Sequence, residues 1–448
     1  MNRSRQSQDV KGISVIGLGK LGLCMAACFA EKGYKVTGID IDKNKIDLIN
    51  EGKNPIQETG LTQLISKCKN NLKATSDYGK TILNSQVTFI VVATPSETDG
   101  SFSNEQLEEA LRQIGSVLKE KNDYHLVVIT STVMPGTTEH VGKFTLEESS
   151  GKKCGEDFGI AYNPEFIALG SVIHDFHNPD FILIGELNKN DGQILEDIYR
   201  RICENTPRFA RMSPVNAEIT KMSLNCYVTM KITYANSLAA VCEKVEGADA
   251  EVITNAIGLD SRIGRKYLKP GLGFGGPCFP RDNIAFATFA RKVNAYAKLA
   301  ETVDEVNRDQ ATRIVEMIEE AVKKEKGKGK IGFLGLSYKP NSPVIEDSQA
   351  IDIVDNLINK GCKVVVYDPQ ALGLAREVFL DKVEYACTVL DCIEKSDIVV
   401  ITTPWNEFEK INFESIKNKP KTIIDCWRII KDKSFKIKYL GMGDCSDA

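Results

Sequence analysis

The segment ISVIGLGKLGLCMAACFAEKGYKVTGID, residues 13–40, leaves its chain little freedom in how to fold. A short β-branched run, Ile13 to Ile16, meets Gly17, Gly19 and Gly22; a helical pattern follows, then a second apolar run ending in Asp40. Strand, glycine turn, helix and strand is the unit that builds a parallel sheet. Glycines at these positions let the chain turn tightly and let backbone N–H groups approach a pyrophosphate at the helix N-terminus, whose partial positive charge favours the anion. Asp40 stands where a carboxylate can accept both ribose hydroxyls, and an acid there favours NAD over NADP, whose 2′-phosphate would meet like charge. A doubly wound sheet without a cofactor would show much of the same pattern.

More strands follow. VTFIVVATP at 87–95 and HLVVITSTV at 125–133 both end in small polar residues, and FGIAYNPEF brings Asn163 and Glu165 to a comparable strand end. Ligands of such sheets gather at the strand C-termini, so Thr94, Pro95, Ser131 and Thr132 are expected in one crevice, although each taken singly could simply end a strand. Near Pro214 the texture changes. Residues 216–247 read as one long helix without internal Gly or Pro, and Lys221 and Asn225 share a face one turn apart. Small residues such as Ala235, Ser237, Ala239 and Ala240 suit close approach of a second helix, including one from another subunit. A further helical segment is expected over roughly 282–322, then the charged run KKEKGKGK at 323–330 as a solvated linker. Beyond it KIGFLGLSYKPN, a helix at 349–360, KVVVYDP, SDIVVITTP and KTIIDCW alternate strand with helix again, without the GxGxxG glycines.

The fold class is therefore α/β: two doubly wound, Rossmann-like domains joined by a central helical region. The expected division is 1–212, 213–322 and 323–448, in keeping with a chain of 448 residues. A net charge of −4 gives no electrostatic reason to expect nucleic acid or an anionic membrane as partner. No apolar run approaches a membrane span and the N-terminus lacks the apolar core of a signal peptide, so the cytoplasm is the expected location. Thirteen scattered cysteines with no CxxC pair read as reduced thiols, and His174 and His177 lack the further ligands a metal site needs.

One stretch resists both periodicities. GFGGPCFPRD, residues 273–282, sets Cys278 between two prolines and behind three glycines, with Asp282 four residues on. Such a run forms a specific irregular loop that can hold a thiol in place, or a tight connection in which the cysteine fills a gap.

With GFGGPCFPRD, KMSLN at 221–225, STV at 131–133, NPEF at 163–166, SRIG at 261–264 and YKPN at 338–341 in this order, the chain resembles the UDP-glucose/GDP-mannose dehydrogenases from about Lys11 to Arg428. That resemblance implies oxidation of a nucleotide-sugar 6-OH to a carboxylate in two NAD-dependent steps. Removing two hydrides in turn requires that the aldehyde be kept from escaping, and a thiol answers the need. Cys278 as thiolate would add to the aldehyde, the thiohemiacetal would lose its hydride to a second NAD, and the thioester would be hydrolysed. A free thiol titrates near ~8.5, so a cation is needed beside it, and Lys221 is the candidate. The resemblance further implies that Lys221 and Asn225 stabilise oxyanions, that Asp282 works with Lys221 and a water as base, and that Thr132 and Glu165 position that water. Lys45 joins Gly17, Gly19, Gly22, Asp40, Thr94, Pro95, Thr132 and Glu165 on the cofactor side. Lys221, Asn225, Phe274, Gly275, Tyr338, Lys339 and Arg428 fall on the substrate side, and Arg262 would enter the site of a neighbouring subunit of a homodimer or larger homo-oligomer.

Three positions depart from the family pattern: Leu169 stands where a second glutamate is frequent, Glu346 where an arginine is common, and Pro277 where a serine often precedes the cysteine. They leave the sugar open. UDP-glucose is the first expectation, with UDP-N-acetylhexosamines and then GDP-mannose as alternatives. A catalytically silent nucleotide-sugar-binding protein is the competing class, and the joint presence of Cys278, Lys221, Asn225 and Asp282 argues against it.

Overall fold

In the computed structural model, residues 10–324, 329–412, 416–418, 420–431 and 436–443 are described. The chain divides into two compact units, one up to Met222 and one from Ser223. The division falls inside the long helix.

The first unit is built on eight strands: β1 Gly12–Ile16, β2 Lys35–Ile39, β3 Leu72–Thr75, β4 Val87–Ile90, β5 His125–Ile129, β6 Phe158–Tyr162, β7 Phe181–Glu186 and β8 Arg208–Met212. Their order is β3-β2-β1-β4-β5-β6-β7-β8, parallel throughout except where β7 meets β6. The strands are apolar on both faces because both faces are covered. Leu126 and Val128 of β5 enter one core with the helix Lys20–Glu31, while Val127 and Ile129 enter another with the helix Glu105–Leu118. The second helix buries Leu107, Ala110, Leu111, Ile114 and Leu118, a one-sided stripe in which each leucine or isoleucine contributes about 1.5–3 kcal/mol. The first is buried along nine consecutive residues, Gly22 to Ala30, and its alanines and cysteines are small enough to bring it close to the sheet. Ile16 of β1 stands level with Ile39 and Ile90, so the loops after β1, β2 and β4 leave from one line. The strand order reverses between β1 and β4, which is where open α/β sheets take their ligands.

The long helix spans Pro214–Cys242, ending five residues before the sequence pattern suggested, in turns that lead to Gly247. The single helical segment expected over 282–322 is two helices, Phe279–Lys292 and Lys298–Lys324. Asn294, at φ 56°, adopts the left-handed conformation between them and breaks the helical path. Of the linker run at 323–330, residues 325–328 lie outside the described residues.

The second unit's sheet holds β9 Ile331–Leu334, β10 Val364–Tyr367, β11 Glu384–Tyr385, β12 Ile398–Ile401, β13 Thr422–Asp425 and β14 Ile437–Tyr439, all parallel, in the order β11-β10-β9-β12-β13-β14. Ala311, Ile314, Val315 and Ile318 of the helix Lys298–Lys324 lie in the same core as Phe333, Val366 and Val400 of this sheet, which ties the helical segment to the second half. Among the described residues no helix is long and apolar enough to cross a membrane.

Candidate functional site

At the end of β1 the glycines are required sterically. Gly17 has φ 89° and donates its N–H to the Ile39 carbonyl at 2.8 Å; a Cβ there would lie 2.4 Å from the Val91 carbonyl oxygen. A Cβ on Gly22 would lie 1.9 Å from the Gly17 oxygen, which is how closely the helix meets the turn. At Gly19 a Cβ would meet nothing within 4 Å, so the open side of the turn, at the N-terminus of the helix Lys20–Glu31, is where a pyrophosphate could approach the backbone. Asp40 follows β2 directly. Its Oδ2 accepts from Leu18 N at 2.9 Å and Lys45 Nζ at 3.0 Å, and its Oδ1 from Asp42 N at 3.0 Å. Burial pushes this carboxyl up, but the bonds from Asp42, Lys45 and Leu18 outweigh it and hold the group below its ordinary value. Oδ1 keeps a lone pair for a ribose hydroxyl, so the residues fit a dinucleotide. Lys45 is thus fixed on Asp40. The loops after β4 and β5 are tied together, with Thr94 Oγ1 donating to the Thr132 carbonyl and Ser131 Oγ to the Val92 carbonyl, each at 2.7 Å; Pro95 is exposed.

The loop after β6 carries Glu165, whose carboxyl is turned inward. The Tyr199 hydroxyl lies 2.5 Å from Glu165 Oε1 and 2.6 Å from Asn163 Oδ1. Burial raises Glu165 to about 7, against the opposing pull of Tyr199 and Lys221. Lys221 Nζ donates to the Glu165 carbonyl at 2.7 Å and sits 4.7 Å from the centre of the Phe166 ring. One turn before Lys221, the fully buried Glu218 accepts from Gly136 N at 2.5 Å, Thr138 N at 2.8 Å and Thr138 Oγ1 at 2.6 Å, anchoring the segment that follows Thr132. Tyr199 and Glu218 escaped the sequence reading. Tyr199 lies on the apolar face of the helix Lys189–Ile202, where an aromatic reads as core, and Glu218 shares a periodic helix with nothing to mark its distant partners.

In the second unit the glycine-rich loop explains itself. A Cβ on Gly275 would lie 2.1 Å from the Asp347 carbonyl oxygen, one on Gly276 2.5 Å from the Tyr338 ring, and one on Gly273 2.0 Å from Gln349 Nε2. The glycines let the loop press against the segment that follows β9. Uncharged amides hold its backbone: Asn236 Oδ1 accepts from Gly271 N at 2.9 Å, Gln310 Nε2 donates to Gly271 O at 2.8 Å, and Gln349 Oε1 accepts from Gly273 N at 3.0 Å. Asn307 both accepts from Phe274 N and donates to Phe274 O, at 2.8 and 2.9 Å. Cys278 then sits exposed at the N-terminus of the helix Phe279–Lys292, its carbonyl accepting from Asp282 N at 2.9 Å. Asp282 is buried one turn on, and Asn225 Nδ2 donates to its Oδ2 at 2.6 Å. The loop therefore presents a thiol at a helix end that favours negative charge, backed by a buried amide–carboxylate pair.

Phe274 is buried with its ring edge-on to Phe279, and Lys339 Nζ lies 5.8 Å from the Tyr338 ring centre. Glu346 is exposed, and its carbonyl accepts from Gly276 N at 3.0 Å. Arg262 is exposed and paired with Asp260 at 2.6 Å. Arg428 differs from the other expected substrate contacts. Its guanidinium is committed to Asp249 at 2.5 Å and to the Leu440 carbonyl, which gives it a structural task. The histidine pair does not converge, since His174 is exposed while His177 is buried against Glu31 and the Ile202 carbonyl.

Comparison with known proteins follows the same segments. Models of the UDP-glucose/GDP-mannose dehydrogenase family match three stretches: its NAD binding domain at residues 11–203, its central domain at 215–309 and its UDP binding domain at 332–432. The chain is 37% identical over 421 residues to a UDP-glucose 6-dehydrogenase of Haloferax volcanii, covering 93% of this chain and 97% of that one. It is 33% identical over 403 residues to a GDP-mannose 6-dehydrogenase of Pseudomonas aeruginosa, covering 87% and 90%. The solved structure of a UDP-glucose dehydrogenase from Pyrobaculum islandicum superposes with a TM-score of 0.87 at 31% identity, covering 98% and 99%.

Proposed function

We propose that this chain, which belongs to the UDP-glucose/GDP-mannose dehydrogenase family and is an NAD-dependent nucleotide-sugar 6-dehydrogenase, oxidises UDP-glucose to UDP-glucuronate. The observation that carries the assignment of roles is the exposed Cys278 thiol backed by the Asn225–Asp282 pair. The three family segments correspond to cofactor binding, a helical centre with the cysteine loop, and sugar-nucleotide binding.

In this reading the first unit binds NAD, which supplies the hydride acceptor in each of two rounds. Gly17, Gly19 and Gly22 shape the pyrophosphate turn, Asp40 accepts from the adenosine ribose with Lys45 neutralising it, and Thr94, Pro95 and Thr132 border the crevice. Asp282, buried and oriented by Asn225, takes the proton of the sugar 6-OH through a water as hydride leaves. Cys278 attacks the aldehyde carbon, and Lys221 and Asn225 hold the oxyanion that forms. After the second hydride departs, a water positioned by Thr132 and Glu165 attacks the thioester and the Cys278 thiolate leaves. The loop from Phe274 to Gly276, with Tyr338 and Lys339, holds the nucleotide sugar.

UDP-glucose is supported by the names of the relatives at 37% and 31% identity, while the GDP-mannose relative at 33% keeps a second sugar in view. The outward face of the long helix carries Tyr227, Tyr234 and Val241, 57%, 56% and 60% exposed and spaced by two turns, which supports a homodimer paired along this helix. Arg262, exposed in the same unit, would then reach a partner's substrate. Measuring NADH formed per sugar across UDP-glucose, UDP-N-acetylhexosamines and GDP-mannose tests the reading. Two NADH per UDP-glucose at the highest kcat/KM is the expected result, one would mean that aldehyde escapes, and none with any sugar would overturn it.

A further inference from the structure

We propose that Tyr199 and Asn163 form a two-position hydrogen-bond relay that governs when Glu165 carries a proton, which makes both of them positioning residues of the site. Asn163 is buried, and its Nδ2 donates to the Leu183 carbonyl at 2.9 Å, which fixes the amide with Oδ1 toward Tyr199. That oxygen can only accept. The Tyr199 hydroxyl has one proton, yet it lies at bonding distance from two oxygens, 2.6 Å from Asn163 Oδ1 and 2.5 Å from Glu165 Oε1. One proton cannot serve both. With the phenol donating to Asn163, the short contact to Glu165 is a bond only if the carboxyl is protonated and donates to the phenol oxygen. On ionisation the phenol turns its proton to Glu165, and Asn163 Oδ1 is left buried without a donor. That loss holds ionisation back.

The groups facing Glu165 are few. Tyr199 comes from the helix Lys189–Ile202, Cys203 follows it, and Lys221 approaches from the long helix. Lys221 favours the ionised form, but its Nζ is placed on the Glu165 carbonyl and not on the carboxylate. Burial acts the other way and lifts the group to about 7, so a small rearrangement of the relay decides its state near neutrality. The inference leans on the catalytic reading above only for its consequence in turnover.

Infrared difference spectra of the full-length protein, recorded as pH is stepped, test it. The protonated-carboxyl band of Glu165, assigned by its absence in Glu165→Gln, should persist well above the ordinary glutamate range and vanish around neutrality. In Tyr199→Phe the ionised form loses a charge-assisted donor and the neutral form loses both its acceptor and the phenol's bond to Asn163, so Asn163 is uncoupled from Glu165 and adding Asn163→Ala to this variant should leave the midpoint where Tyr199→Phe alone puts it. In Asn163→Ala the phenol is released to the carboxylate, and the midpoint should fall by about one unit. Absence of a Glu165 band in wild type, a midpoint that does not fall in Asn163→Ala, or an equal fall when Asn163→Ala is added to Tyr199→Phe, overturns the relay. If Asn163→Ala does not fold, Asn163→Leu, which removes the same acceptor at similar volume, takes its place in both comparisons. A kcat profile that stays fixed while the midpoint moves upholds the relay and removes Glu165 from the reaction.

Discussion

Two sheets in this chain share one strand order and differ in what their mouths can hold. In each, the first strand ends in a left-handed glycine, Gly17 at φ 89° and Gly335 at φ 104°, and the next residue donates its N–H to an aspartate after the second strand. There the likeness stops. Asp40 keeps acceptor capacity, whereas Asp368 is buried and accepts from Leu336 N, Ser337 N, Ser337 Oγ, Gln370 N, Ala371 N and Trp405 Nε1, between 2.7 and 3.2 Å. With every lone pair taken it has nothing for a ribose. The sheet provides a crevice; two residues at its edge, Gly19 against Ser337 and the freedom of Asp40 against the enclosure of Asp368, separate a dinucleotide mouth from one that is not.

The contrast is open to attack at several points. The largest effect is expected at the proposed nucleophile of the second unit. Cys278→Ser should lower overall turnover by roughly three orders of magnitude or more, because an alkoxide is a poorer trap and a far poorer leaving group at the ester stage. Mass spectrometry after incubation with sugar nucleotide and NAD should show a covalent adduct on this variant, and full turnover without one would take the chemistry away from the loop.

Next come the paired aspartates. Asp40→Ala should raise the KM for NAD by about tenfold to a hundredfold and narrow any preference over NADP, with little change in melting temperature. Asp368→Ala should do the reverse, costing about 2–4 kcal/mol of stability because it strands buried donors, with the KM for NAD unchanged. If Asp368→Ala instead altered nucleotide affinity in a fully stable protein, the two carboxylates would not differ in kind.

The last test concerns acid. His125 in β5 is buried, with Nε2 2.7 Å from Thr88 Oγ1 and Nδ1 3.1 Å from the Ser85 carbonyl; burial first, and Lys121 second, push it down to about 3. The unfolded chain takes up this proton near its ordinary value and the folded one does not, so stability falls as pH drops from about 6.5 toward 3, by up to about 1.4 kcal/mol per pH unit. All four histidines, His125, His140, His174 and His177, precede residue 200, so acid-induced amide exchange should begin in the first unit. Exchange that starts in the second unit would show that other groups dominate.

How much of this was legible follows from how local each signal is. Gly17, Gly22 and Asp40 declare themselves because the turn and the carboxylate after its second strand belong to one contiguous supersecondary unit. The second sheet was legible from its alternation of apolar runs and helices. The break at Asn294 was not, since one residue in a left-handed conformation leaves the helical periodicity on both sides intact. The commitment of Arg428 to Asp249 joins positions 179 residues apart, and no pattern along the chain could pair them. Tyr199, Glu218, Asn307 and Gln349 share that difficulty, being polar residues on otherwise ordinary helices whose partners are brought to them by folding.

The amides that grip the cysteine loop have a consequence of their own. Asn236, Asn307, Gln310 and Gln349 hold Gly271, Gly273 and Phe274 with groups that neither gain nor lose a proton in water at any pH the protein survives. A loop clamped by ion pairs would loosen with added salt or a shift in acidity. This one keeps its shape under both, so titrating the proposed reacting groups would change their charge without moving the frame that carries them.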